Sequence, residues 1–349
     1  MTHGLRTADY EFELPPELIA QAPLPQRDAS RLMVLDRSSG TIEHRTFSDL
    51  PALATPGDLL VVNRSRVVRA RLLGTRDGSG APAEVFLLQP LGDGRYEAMV
   101  SPGAKLKPGR LVTFAADFRA EIMASTERRT RVVQLHADAP FANVEQAIDA
   151  HGHVPLPPYI TRGDDASDAE RYQTVYAREP GSVAAPTAGL HFTTALLDAL
   201  GARGVRRAEV VLHVGAGTFK TVDAADPVDH VMHEEWYSIP VETAAAVTET
   251  RAAAGRIWAV GTTSVRALES AAQPDRTVQA GVGETRIFLR PPARPQIVDA
   301  LVTNFHLPRS TLIMLVASFA GYDLTMRAYR EAVAERYRFY SYGDAMAIT

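Results

Sequence analysis

Three times in this chain a short apolar run ends at a glycine or proline turn carrying hydroxyls, an amide or an imidazole, and a helical run follows. No other feature restricts the possible folds so strongly. In the first case residues 183–185 run into Pro186, which fixes its own φ and biases the residue before it toward extended backbone. Thr187 and His191 lie in the turn. Thr193 or Thr194 caps a helix whose Leu196, Leu197 and Leu200 recur at helical spacing before Gly201 and Gly204. A β-branched strand over 208–214 follows and ends in His213, Gly215, Gly217 and Thr218. In the second case a strand over 256–260 meets the turn Gly261-Thr262-Thr263, and Ser264 supplies the hydroxyl cap of a helix over 264–270. In the third, a strand over 297–305 ends beside Asn304 and His306, and Pro308 and Ser310 open a helix over 311–319. Repeats of this kind build α/β sheets, whose ligands gather at the carboxyl ends of strands. A single histidine there also serves as a hydrogen-bonded packing residue, and two glycines serve any tight turn. Polar groups at several strand ends at once are harder to ascribe to packing.

From Arg64 to about His136 the texture changes. Short β-prone runs over 67–73, 83–88, 96–100, 111–114 and 132–135 are separated by Gly, Pro and Asp turns with almost no helical periodicity, as in a small barrel or sandwich. The fold class expected is therefore an α/β main domain, residues 1–63 and 153–349, with a small β-barrel domain inserted over 64–152. That insert holds 13 Lys and Arg against 10 Asp and Glu, whereas the chain as a whole carries −4, so a basic segment sits on an acidic body. Its opening places Arg64 and Arg66 on one strand face and Arg69 and Arg71 on the other, a density suited to phosphates or to a charged, guarded strand edge.

The chain has no cysteine, which excludes disulfides, thiolate nucleophiles and cysteine-based metal sites. None of its ten histidines forms the His-x-x-x-His pair that lines one helix face for a metal, His151-Gly152-His153 and His230-Val231-Met232-His233 could reach one only with distant partners, and no metal site is expected. The longest apolar run, 312–317, is far short of a membrane span, so a cytoplasmic protein without membrane contact is expected. Elsewhere, alternation over 9–14 reads as a strand and Pro16 as the start of a helix; Arg27-Asp28-Ala29-Ser30-Arg31 reads as a surface turn or a ligand contact before a strand over 32–35. An amphipathic helix over 322–337 and a final strand close the chain.

Together the motifs Leu14-Pro15-Pro16-Glu17-Leu18-Ile19-Ala20-Gln21, Arg27-Asp28-Ala29-Ser30-Arg31-Leu32, Val154-Pro155-Leu156-Pro157-Pro158-Tyr159-Ile160, Tyr172-Gln173-Thr174-Val175-Tyr176, Ala185-Pro186-Thr187-Ala188-Gly189-Leu190-His191-Phe192, His213-Val214-Gly215-Ala216-Gly217-Thr218-Phe219, Gly261-Thr262-Thr263-Ser264-Val265-Arg266-Ala267-Leu268-Glu269, Thr303-Asn304-Phe305-His306-Leu307-Pro308 and Tyr342-Gly343-Asp344 span nearly the whole chain. In these the chain resembles the S-adenosylmethionine:tRNA ribosyltransferase-isomerase family of queuosine biosynthesis. The resemblance implies that the ribosyl portion of S-adenosylmethionine moves to the aminomethyl group of 7-aminomethyl-7-deazaguanine at the tRNA wobble position. Adenine and methionine leave, and epoxyqueuosine-tRNA forms. It implies no cofactor beyond S-adenosylmethionine as donor, tRNA as partner, and a monomer. A diverged paralogue with a small-molecule acceptor and a non-catalytic RNA-binding relative are the alternatives.

Such a reaction needs an acid to protonate departing adenine, a base to remove a proton beside the sulfonium, and a neutral attacking amine. His191, His213 and His306 are the imidazoles placed for this, and Glu269 and Asp344 are expected to hold the methionine ammonium or steady an imidazole. Arg266 and the amides after Gly261 are expected to bind the methionine carboxylate. Arg31, Asn63, Thr187, Gly215, Gly217, Thr218, Gly261, Thr262, Ser264, Arg266 and Asn304 complete the expected substrate-binding set. The chain departs from the family pattern at Asn63-Arg64-Ser65-Arg66, where Asn-Asp-Thr-Arg is usual, at Arg69, where proline is usual, and over 290–295. The change at Arg64 exchanges a carboxylate for a cation.

Overall fold

The β-branched runs end up buried on both faces, as central strands of a covered sheet should be. The computed structural model describes residues 4–215, 222 and 224–349. Among them the strands are β1 (Arg31–Asp36), β2 (Thr41–Thr46), β3 (Leu59–Asn63), β4 (Ser65–Val67), β5 (Arg71–Arg76), β6 (Pro82–Gly92), β7 (Arg95–Ser101), β8 (Leu111–Ala115), β9 (Phe118–Ser125), β10 (Arg131–Ala137), β11 (Glu179–Ser182), β12 (Arg206–Leu212), β13 (Glu235–Ile239), β14 (Ile257–Val260), β15 (Gly281–Thr285), β16 (Ala300–Asn304) and β17 (Ala345–Ile348). The helices are α1 (Val144–His151), α2 (Asp168–Arg171), α3 (Thr194–Ala202), α4 (Val241–Ala252), α5 (Gly261–Ser270), α6 (Thr311–Ala320) and α7 (Tyr322–Ala334). The strands form a nine-stranded sheet in the order β15-β13-β12-β3-β14-β16-β17-β1-β2 and a closed six-stranded barrel, β10-β7-β6-β5-β8-β9. The molecule is thus an α/β body with a small barrel.

Period-two packing explains the layers. Leu59 and Val61 of β3 join the apolar cluster that includes Val265, Leu268, Ile313 and Leu315 of α5 and α6, while Leu60 and Val62 join Leu196 and Leu200 of α3 on the opposite face. In the barrel, Leu72, Val85, Val112, Ile122 and Val133 fill the interior together with Ala147 and Ile148 of α1.

Register determines where the chemistry can lie. β12, β3, β14 and β16 are mutually parallel, so Asn63, His213, Gly261 and Asn304 all lie at or just beyond one edge of the sheet. β17 runs antiparallel to β16 with Ala345 opposite Asn304, and β1 runs parallel to β17 with Leu32 opposite Ala345. The amino ends of β17 and β1 therefore bring Asp344, Ser30 and Arg31 to the same edge.

The structure corrects several local expectations. Residues 11–14 alternate in burial, with Tyr10 and Phe12 inside, but no strand lies there: Thr7–Tyr10 is a 3-10 turn and the segment finds no sheet edge to pair with. Residues 183–185 are not a strand either. The pairing ends at Ser182, β11 joins β4 rather than the main sheet, and the chain crosses the sheet edge as the buried 3-10 turn Thr187–His191. Arginines 64 to 71 do not share one strand, because β4 ends at Val67 and β5 starts at Arg71. The barrel has a strand, β9, that alternation alone did not reveal. Finally, α5 starts at Gly261, whose φ of +84° allows the abrupt turn out of β14; Ser264 lies within the helix and donates back to the Val260 carbonyl at 2.8 Å.

Candidate active site

At the polar sheet edge lies a cleft open to solvent. Its walls are Pro186, Thr187 and Ala188 of the 3-10 turn, Gly261, Thr262 and Thr263 at the start of α5, residues 303–307 after β16, Ser310 at the start of α6, and Tyr340 with Ser341. The amino ends of α5 and α6 both border it, and their unbonded amides make that wall attractive to an anion. α6 is closed by its own cap, the Ser310 hydroxyl accepting from Ile313 N at 3.3 Å. α5 has no side-chain cap.

Asn304 is the polar centre of the cleft. Its side-chain amide donates to His191 Nε2 at 3.2 Å and to the Tyr340 carbonyl at 2.9 Å. Both amide hydrogens are thereby placed, and the buried Oδ1 has no partner. Thr263 Oγ1 and the Tyr340 hydroxyl are likewise buried without partners. An acceptor and two hydroxyls thus stand in one cleft with nothing to bond, and an unmade buried hydrogen bond costs about 1–3 kcal/mol.

His191 is 4 % exposed, stacked on Phe47 with ring centroids 4.9 Å apart, and its Nδ1 lies 2.7 Å from Ser30 Oγ. With Nε2 accepting from Asn304, Nδ1 must carry the proton and donate to Ser30. The turn bearing His191 is gripped from the 27–31 cluster: Arg27 donates to the Leu190 carbonyl at 3.1 Å, and Thr193 Oγ1 lies 3.2 Å from Asp28 Oδ2. Its tight packing also needs Gly189, since a Cβ there would stand 2.2 Å from the Tyr176 hydroxyl. His306 has Nε2 at 2.8 Å from Thr303 Oγ1, while its Nδ1 makes no hydrogen bond among the described residues.

Burial, helped at His191 by the cations Arg338 and Arg27, pushes His191 and His306 down to about 3, so both are neutral near pH 7. Their folded pKa lies below the unfolded value of about 6.5. The stability associated with keeping them neutral is complete above that value and falls as pH drops from there toward 3. We expect the urea midpoint to fall between pH 7 and pH 5, and the fall to be smaller in His306→Gln; equal midpoints at both pH values in the unmodified protein would contradict these environments.

The other expected site residues divide clearly. Thr187, Gly261, Thr262, Asn304 and His306 line the cleft, and His191 joins it through Asn304. His213 does not line it; its ring stacks on Trp236 at 5.0 Å and presses against Gly181, and burial lowers its pKa. Asn63 is fully buried and bonds Leu212 and Ser65 backbone, fastening β3 to β12. Arg31 donates to the Glu335 carbonyl at 2.7 Å and lies over the Tyr337 ring. Ser264 faces its own helix, as above, and Gly215 donates to Glu235 Oε1 at 3.2 Å. Arg266 is buried against Glu235 instead of lining the cleft.

Glu269 accepts amides from Gln296, Ile297 and Val298 at 2.8, 2.9 and 3.0 Å; burial raises its pKa and those donors counter it. Asp344 accepts from the Arg31 and Arg338 amides at 2.9 and 2.8 Å, again with burial raising its pKa. Neither carboxylate meets an imidazole, and both staple loops to the sheet. Gly217 and Thr218 lie outside the described residues. Among the described residues, no three His, Asp or Glu side chains gather as a metal ion would need.

Ser30, Thr263 and Tyr340 were not among the residues expected from the sequence. Ser30 was visible only as part of a polar cluster, and Tyr340 reaches the cleft from the chain's last turn before β17.

Residues 7–348 match the family model described as queuosine biosynthesis protein. A curated relative from Symbiobacterium thermophilum is 53% identical over 345 residues, covering 99% of this chain and 100% of its own. Another, from Thiobacillus denitrificans, is 52% identical over 342 residues, covering 98% and 97%. Both are named S-adenosylmethionine:tRNA ribosyltransferase-isomerase. The crystal structure of an S-adenosylmethionine tRNA ribosyltransferase from Thermotoga maritima matches with a TM-score of 0.56 and 41% identity over 97% of this chain and 99% of that one.

Proposed function

This chain belongs to the queuosine biosynthesis protein family, and from that membership and the cleft together we propose where its chemistry takes place. It is an S-adenosylmethionine:tRNA ribosyltransferase-isomerase, a transferase that moves the ribosyl part of S-adenosylmethionine to 7-aminomethyl-7-deazaguanine in tRNA. The observation that carries the assignment of the site is the unpartnered set in one cleft, Asn304 Oδ1, Thr263 Oγ1 and the Tyr340 hydroxyl.

In this assignment the uncapped start of α5, with Thr263 Oγ1, receives the methionine carboxylate, a role in which Arg266 is replaced by backbone amides because Glu235 already neutralises it. Asn304 Oδ1 accepts an N–H from the donor or from the acceptor base. His306, neutral and with Nδ1 unbonded, lines the cleft as a hydrogen-bond acceptor for the bound donor. His191 positions Asn304 and does not itself exchange protons. The protein works as a cytoplasmic monomer; no helix among the described residues is long and apolar enough to cross a membrane.

The small-molecule acceptor loses its motive. Arg64 lies 3.5 Å from Glu209 and 3.9 Å from Glu179, so the added cation has acidic partners on its own chain. Arg69 donates to the Asp149 carbonyl at 2.9 Å. The test supplies either tRNA carrying the modified base or the free base, at rising salt. Turnover with tRNA alone, and a KM for tRNA that rises with salt, is expected. Equal, salt-insensitive use of the free base would overturn the tRNA assignment.

A further inference from the structure

We propose that the far end of the barrel is a docking surface for the phosphate backbone of tRNA, formed by Lys105, Lys107, Arg110, Arg128 and Arg129; the proposal rests on tRNA being the substrate. Strand register places these residues together. β5 leaves the body at Arg71, where its backbone pairs with His153, and runs outward to Arg76 opposite Val112 at the start of β8. β9 runs outward to Ser125, opposite Arg131 at the start of β10. The 102–110 loop and the 126–130 turn therefore share the end away from the body. Eight residues give β9 a length of about 26 Å at a rise of ~3.3 Å per residue.

The two loops are fixed as one surface. Arg131 donates through Nε to the Leu106 carbonyl and through Nη2 to the Gly103 carbonyl, both at 2.9 Å. Gly109 N donates to Ile122 O at 2.8 Å, and Ile122 N to Arg110 O at 2.9 Å. Lys105, Lys107, Arg110, Arg128 and Arg129 are all exposed, and among the described residues none has a carboxylate within 4.0 Å. Asp77 and Glu127 are the exposed carboxylates on the turns at this end.

The rest of the barrel is different. Arg71 pairs with Glu84 at 3.0 Å, Arg119 with Asp138 at 2.7 Å and Arg95 with Asp93 at 3.7 Å. The arginines at the start of the insert, which by sequence suited either phosphates or a guarded strand edge, are mostly engaged with their own chain. On a protein of net charge −4, an unneutralised cationic end is where a polyanion is attracted. Val183 packs in the barrel core while the next residue, Ala184, lines the cleft, so cleft and barrel meet at one junction. A stem whose modified base enters the cleft can reach the cationic end about one strand length away.

The test compares the full-length protein with Lys105→Gln/Lys107→Gln/Arg110→Gln and with Arg128→Gln/Arg129→Gln. Filter binding of tRNA across a salt series is read beside adenine release. For the triple variant we expect the KM for tRNA to rise at least about tenfold, with the effect carried by KM more than kcat. The slope of log Kd against log salt should flatten by roughly 2–3, at about 0.7–0.9 per lost phosphate contact. Unchanged tRNA affinity and slope in both variants would overturn the proposal. Weakened tRNA binding by the variants, in a protein whose unmodified form releases no adenine, would uphold the surface and retire the reaction instead.

Discussion

Alanine at Asn304 is expected to lower kcat/KM about 100- to 1,000-fold, the scale on which removing one preorganised polar partner acts. The reason is geometric. Both hydrogens of the side-chain amide are directed away from the ligand, to His191 and to the Tyr340 carbonyl, so Oδ1 is held in one orientation before anything binds. Truncation removes that acceptor and also leaves His191 Nε2 and a buried carbonyl without their donor, which should cost about 1–3 kcal/mol of stability. Adenine release measured under conditions where the urea midpoint shows the variant folded separates the two effects. A kcat/KM within threefold of the unmodified protein would remove Asn304 from the site. His191→Ala should show a smaller loss through the same residue, since it frees the amide to rotate.

The largest stability effect is expected at the opposite edge of the sheet. Asp58, 1 % exposed, accepts from the Arg256 amide at 3.0 Å, Arg256 Nη2 at 2.8 Å, Trp258 Nε1 at 2.8 Å and the Thr55 amide at 3.0 Å. Burial works against its charge, but these donors outweigh it and hold its carboxyl below the usual range. It joins the starts of β3 and β14, the two central parallel strands. Asp58→Ala leaves a buried indole N–H, two amides and an arginine without their acceptor. The expected loss is about 3–5 kcal/mol, the scale for breaking a buried pair from one side. Urea unfolding with an unchanged m-value is the measurement; a loss under about 1 kcal/mol would show that water or other groups replace the carboxylate. Because this bond lies far from the cleft, the fraction that remains folded should retain its turnover.

Local pattern made the body and the barrel legible in the sequence. β-branched runs between Gly and Pro turns marked β3, β12, β14 and β16, and Ser310 and Thr193 stand as helix caps with their expected hydrogen bonds. The edge at which Asn304 and His306 lie also followed from a strand end, whereas Thr187 reaches it on a 3-10 turn and not from a strand. What local pattern could not supply was pairing at long range. Tyr10 and Phe12 alternate in burial like a strand, yet no edge was available to them. Glu269 and Asp344 look like site carboxylates in their motifs, and only the fold shows that backbone amides take their oxygens. Ser30 lies 161 positions before His191, and no periodicity connects them. Arg64 is similar: as sequence it is a lost carboxylate beside the site, and in three dimensions it is a cation facing Glu209.

If this sheet-edge cleft transfers the ribosyl group of S-adenosylmethionine to tRNA, the products of a single reaction mixture reveal it. Purified protein is mixed with S-adenosylmethionine and tRNA carrying 7-aminomethyl-7-deazaguanine, and adenine, methionine and the digested tRNA nucleosides are quantified by chromatography. The expected result is equal release of adenine and methionine, matched by conversion of the modified base to its ribosylated form, and loss of all three in Asn304→Ala. Adenine release without tRNA conversion, or full conversion by Asn304→Ala, would show that the transfer to tRNA does not take place in this cleft.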